Sequence, residues 1–175
     1  MKHLSVLLFV CTFLWIGISC QRKPSKVDSD FWMDQETARD IQYAISATAY
    51  HILPDQSHPD AARGQFMDYP ILSGPITLGS EEVRQLSSLL SDTSSYHLDE
   101  AFKMCLFTPN VGLQLEREGQ GTLTVLLCFD CNVLKIYDKG QEVFSEDFDP
   151  ARIELLTIFY PVFKDMPYFQ SLKST

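Results

Sequence analysis

Cysteines are the residues in this chain whose type and spacing could do chemistry. Cys128 and Cys131 are separated only by Phe129 and Asp130, and Cys105 lies upstream. Such a Cys-x-x-Cys pair serves as a redox dithiol, as half of a zinc site or as a structural disulfide. A thioredoxin-like dithiol sits at a helix N-terminus, where the dipole lowers the thiol pKa. Here a strand pattern follows, Val133 to Tyr137, and no cation is nearer to the pair in sequence than Lys135. A structural zinc needs four ligands. The pair gives two and Cys105 a third, but none of His51, His58 and His97 has ligand spacing to a cysteine. If Phe129-Asp130 is a two-residue turn, Cys128 and Cys131 face each other across a hairpin, and a disulfide between them is geometrically plausible. In a simple meander Cys105 lies two strands away from Cys128. Three cysteines are an odd number, for which one bond and one free thiol is the simplest result. The plain alternative to any activity is inert thiols in a core, or one structural disulfide.

The remaining candidates are weaker. His51 and His97 read as rim or surface histidines. Glu146, Asp147 and Asp149 form an acidic cluster that helix capping explains better than calcium, because the glycine-containing twelve-residue ligand pattern is absent. There is no Gly-x-Ser-x-Gly, no phosphate-cradling loop and no His-Glu-x-x-His. No catalytic residue, metal or cofactor is assigned. The formal charge of -9 leaves no electrostatic footprint for a phosphate backbone, so nucleic acid is excluded as a partner.

The elements that must position the cysteines centre on Thr122–Asp138, the most apolar run after the first segment. Residues 123–128 and 132–137 predict two strands. Ahead of them, 101–107 and 111–116 predict two more, with Pro109-Asn110 and Gly112 in the first turn and Glu118 to Gly121 in the second; 142–145 adds a short last one. Upstream, 34–40 predicts a short helical turn, and the alternation of Ile41, Tyr43, Ile45, Ala47 and Ala49 predicts a strand over 41–53, where the alanines also permit a helix. Residues 54–64 read as loop and 66–77 as extended, irregular chain, since prolines avoid the middle of a ladder. Ser80 is the expected cap of a helix over 80–90, with Val83, Leu86, Leu89 and Leu90 on one face. Asp149 and Pro150 start a second helix that Pro161 closes. The tail from Phe163 reads as a loosely packed extension. The expected fold is α+β: a meandering antiparallel sheet with two helices packed on one face.

The first twenty residues predict the compartment. Lys2-His3 is a short basic start, and residues 4–16 are almost wholly apolar. At about 13 residues this run is short of the ~20 that span a bilayer, so it reads as a signal peptide over 1–19. Gly17-Ile18-Ser19-Cys20 resembles the lipobox of bacterial lipoproteins, although Gly17 stands where Leu is usual. That resemblance implies acylation at Cys20, anchoring to a membrane, and a polar tether over residues 20–30 before a single domain over 31–175. An ordinary cleaved signal peptide and an uncleaved anchor are the alternatives. Gln21 after the cysteine resembles lipoproteins delivered to the outer membrane, where the cell has one.

A second resemblance lies within the domain. Lys103-Met-Cys-Leu-Phe-Thr-Pro109, Gly112-Leu-Gln-Leu115, Val125-Leu-Leu-Cys-Phe-Asp-Cys131 and Phe148-Asp149 are similar to motifs in a group of small secreted bacterial proteins of unknown function. The resemblance implies the same sheet-and-helix core, suggests that Cys105, Cys128 and Cys131 act together, and carries no activity. The expected function is a lipid-anchored protein of the cell envelope, a non-enzymatic binding or assembly module with a protein partner. The alternative is a thiol-dependent redox or metal-binding protein using Cys128 and Cys131.

Overall fold

The structure is a computed structural model and describes residues 33–53, 64–97 and 104–172. They belong to one compact unit, Phe31–Thr175. The expected signal peptide, Cys20 and its tether, His58 and residues 101–103 of the expected first strand lie outside the described residues.

The element order is α1 (Gln35–Gln42), β1 (Ala44–Ile52), β2 (Gln65–Phe66), β3 (Tyr69–Thr77), α2 (Ser80–Ser91), β4 (Val111–Arg117), β5 (Gly121–Cys128), β6 (Val133–Asp138), β7 (Gln141–Asp147), α3 (Arg152–Phe163) and α4 (Pro167–Leu172). The strands form one sheet, in the order β2-β3-β1-β4-β5-β6-β7. Every neighbouring pair is antiparallel. The fold is therefore mixed α+β, with β4 to β7 as a meander and β1 placed between β3 and β4.

Alternation along the strands sends side chains to two clusters. Ala47 and Ala49 of β1, Leu113 and Leu115 of β4, Val125 and Leu127 of β5 and Ile136 of β6 enter the larger one. There they meet Ile41 of α1, Leu86 and Leu90 of α2, Phe159 and Phe163 of α3 and Phe169 of α4. Ile52 and Leu126, at the alternate positions, join Phe66 and Ile71 in a smaller cluster fringed by Tyr50, Tyr69, Phe107 and Tyr137. Gly112 faces Phe66 so closely that a Cβ there would come within 2.5 Å of the ring.

Several boundaries differ from the sequence expectation. Residues 104–110 form no strand; they run as irregular chain ahead of β4. Residues 69–77, expected to stay out of the ladder, form β3 and pair with β1. Both prolines have tolerated places: Pro70 sits beside the two-residue β2, and Pro75 follows Gly74 where the register shifts. Between the pairs Ala49↔Ile76 and His51↔Ser73, β3 carries one extra residue. Gly74 has φ +114 there, and a Cβ would lie 2.8 Å from Ala49 O, so only glycine fits.

Helix starts are also corrected. Gly79, not Ser80, caps α2. Asp149 begins a 3-10 turn, Asp149–Ala151, that leads into α3. Its backbone N–H is taken by the Asp147 carboxylate at 2.8 Å. Pro161 lies inside α3, which runs on to Phe163. The tail is not loose: α4 packs Phe169 fully into the core.

Candidate functional site

The three domain cysteines meet at one end of the sheet. Cys128 is the last residue of β5 and pairs with Val133 of β6. The hairpin therefore turns over four residues, 129–132, rather than two. Asn132 adopts φ 55 in that turn, a left-handed conformation that asparagine tolerates better than most residues. This register corrects the expected facing of Cys128 and Cys131: Val133 is opposite Cys128, and Cys131 belongs to the loop. Cys131 bonds Cys105, 26 positions away in sequence, with the Cα atoms 6.0 Å apart. Cys128 is a buried free thiol.

The disulfide fastens residues 104–110 against the hairpin. Leu106 O lies 3.2 Å from Cys131 Sγ and 3.7 Å from Cys105 Sγ. Thr108 Oγ1 is 3.5 Å from Leu106 O and 3.7 Å from Cys128 Sγ. Phe107 fringes the smaller cluster, with Lys135 Nζ 5.3 Å from its ring centroid. Met104, Cys105 and Leu106 face solvent; Leu106 is 81% exposed.

Asn110 ties the segment to its surroundings. It is buried, its backbone N–H donates to Leu127 O at 2.9 Å and its carbonyl accepts from Ile52 N at 3.0 Å. Its side-chain oxygen accepts from Phe129 N and lies 2.7 Å from the Tyr168 hydroxyl. That hydroxyl is also 3.0 Å from Asp130 Oδ1. Burial first, and then the Asp130 charge, push the Tyr168 pKa well above the usual phenol value, so the hydroxyl stays protonated as a donor. On the other side of the loop, Asn132 donates to Asp149 and accepts from Arg152 Nε at 2.9 Å.

His51 approaches the same region from β1. Expected at the rim, it is 4% exposed. Its ring contacts Phe163, Tyr168 and Phe169, with centroids 5.8, 6.2 and 5.5 Å away. Its Nδ1 has no hydrogen-bond partner among the described residues. Burial lowers its pKa to about 4. The period-two pattern of Ala47 and Ala49 extends to 51, and this was the sequence signal for its inward placement. His97, by contrast, is exposed and bridges to Asp147 through its backbone.

Clefts also lie away from the hairpin. A cleft of about 630 Å³ is lined by Asp34, Glu36, Asp40, Arg117, Asp138 and Lys139, among others. Arg117 is occupied there, with Nη1 2.6 Å from Asp40 and Nη2 2.7 Å from Asp138. A second cleft, of about 450 Å³, runs between α2 and the start of β1, past Tyr43, Ile45, Ser87 and Ser88. Ser87 is buried, and its Oγ has no hydrogen-bond partner among the described residues.

Among the described residues no three His, Cys, Asp or Glu side chains converge as a metal ion would need, and no helix is long and apolar enough to cross a membrane. The chemistry available at the hairpin is that of one disulfide, one neighbouring thiol and a protonated phenol. The chain matches no known protein family, no curated protein and no solved structure.

Proposed function

We propose that this chain is a non-enzymatic binding protein of the cell envelope, held to a membrane by a lipid on Cys20 and presenting residues 104–106 to a protein partner. The observation that carries the reading is the exposure of Met104 and Leu106 on a segment clamped by the Cys105–Cys131 bond. Large apolar side chains held in water by a covalent clamp suit contact with a partner, and the clamp lowers the entropy lost on binding. The reading takes the helices as gathered on one face of the sheet. Its support is that all four contribute to the larger cluster, while the alternate strand positions feed the smaller one. The resemblance to lipoproteins directs the anchor to the outer membrane in a cell that has one.

The test is photo-crosslinking in cells from a probe at position 104 or 106 of the full chain, with a control probe at exposed Ser88. One protein crosslinked from 104 or 106 and not from 88 is the expected result. No crosslink from either position sinks the binding surface. Mass spectrometry that finds Cys20 unmodified overturns the anchor.

A second reading, a thiol-dependent protein, is favoured by the placement of a buried free cysteine three residues from a bonded one. In that reading the bond is the working part rather than a clamp.

A further inference from the structure

We propose that the Cys105–Cys131 disulfide exchanges with Cys128, making the hairpin a switch between two disulfide isomers. The proposal rests on the thiol reading and goes beyond it by naming the partners and direction of the exchange. Three observations carry it. The chain between β5 and β6 reverses in four residues, with Cys128 paired to Val133. Residues i and i+3 of such a tight reversal lie within about 7 Å, close to the Cα span that a disulfide bridges. Leu106 O and Thr108 Oγ1, 3.5 Å apart, together touch all three sulfurs, so the thiol and the bond border one short stretch of chain. Cys105 sits at the exposed end of that stretch, while Cys128 and Cys131 are buried. A leaving thiolate is best stabilised at the exposed position, where water solvates its charge.

The exchange balances within the molecule. Cys128 gives its proton to a solvent base, and its thiolate attacks Cys131 Sγ. The Cys128–Cys131 bond forms and the Cys105–Cys131 bond breaks. The electron pair leaves on Cys105 Sγ, which takes a proton from water. Two sulfurs are oxidised before and after, so no external oxidant or reductant enters. The product carries an accessible thiol at Cys105 between Met104 and Leu106, on a segment that has lost its covalent anchor. Such a thiol suits exchange with a partner's disulfide, in which one partner sulfur bonds Cys105 and the other leaves as a thiol.

Disulfide mapping of the full chain tests this. The protein is held at about pH 8.5, near the ordinary thiol pKa, alkylated with N-ethylmaleimide and cleaved under acid. The expected result is alkylated Cys105 together with a Cys128–Cys131 linkage, and none of either in Cys128→Ser. Because Cys128→Ser alters a buried position, Cys105→Ser gives an independent reading. With glutathione disulfide as oxidant, that variant should lose both remaining domain thiols to a Cys128–Cys131 bond. Two persistent thiols in Cys105→Ser overturn the exchange, as does a wild-type protein that always shows Cys105–Cys131 alone. A bond that opens to dithiothreitol without Cys128 ever pairing overturns the exchange and leaves the thiol reading standing. A bond that resists dithiothreitol in the folded protein overturns both.

Discussion

His51 is a base enclosed by rings, and the energetic consequence is pH dependence. Its pKa falls from 6.5 to about 4 through burial, so the folded protein disfavours the protonated form. Between these values the unfolded chain binds more protons than the folded one, and stability rises with pH. The neutral ring's contribution is complete above about pH 6.5 and is lost as pH falls through about 4. The full span is worth on the order of 3 kcal/mol. His51→Phe, which keeps an aromatic ring among Phe163, Tyr168 and Phe169, should flatten this dependence. Urea midpoints at several pH values between 4 and 7 measure it. Equal slopes in both proteins would show that His51 does not carry the titration. Asn110 shows the limit of reading at this scale. In sequence it is a turn residue beside Pro109; in the fold its hydrogen bonds join β1, β5, the hairpin loop and α4. Nothing local marks a residue whose partners lie up to 58 positions away.

The strands from Val111 to Asp147 were legible because alternation and turn residues agree there. The elements that were misread are those whose position depends on something distant. Residues 104–107 carry a strand-like apolar pattern, yet the bond to Cys131 fastens them outside the ladder. The Cys128 register moved because Asn132 takes a left-handed conformation and lengthens the turn. The closing residues, beyond the Pro161 expected to end the helix, read as loose; Pro167 in fact opens α4. That six-residue helix is held by Phe169, whose ring meets Phe129, Phe163 and Tyr168 at 6.4, 5.0 and 5.4 Å. Phe169→Ala should therefore cost about 3–5 kcal/mol, as for other buried aromatic rings. It should also release Tyr168 from Asn110 and Asp130, which lowers the phenol pKa toward its ordinary value. An ultraviolet titration of tyrosine at alkaline pH, alongside urea unfolding, checks both. A loss under about 1 kcal/mol would mean that α4 is not part of the cooperative core.

At the scale of the whole molecule, Arg117 joins parts that the sequence gives no reason to connect. It is the last residue of β4, and its guanidinium lies between Asp40 of α1 and Asp138 of β6. Asp40 is 77 residues away in sequence, and its carboxylate and the Arg117 guanidinium are both buried. With its amide nitrogen turned toward the same carboxylate, Gln120 donates to Asp40 at 3.0 Å. Removing one member of a buried pair leaves the other charge desolvated, at a cost of about 3–5 kcal/mol. Arg117→Met should lose that amount in urea unfolding, with little change between low and high salt, because buried pairs are weakly screened. Replacing both charges is a different case, since apolar side chains of similar volume often substitute for a buried pair at no net loss. Arg117→Met combined with Asp40→Leu should therefore recover much of the stability, leaving Asp138, which is partly exposed, to be solvated by water. The two outcomes separate a charge requirement from a packing requirement at the junction of α1 with the sheet. If the single and double variants are equally unstable, shape rather than charge holds α1 in place. If Arg117→Met costs under about 1 kcal/mol, water already compensates Asp40, and the cleft beside it is wetter than its buried carboxylate implies.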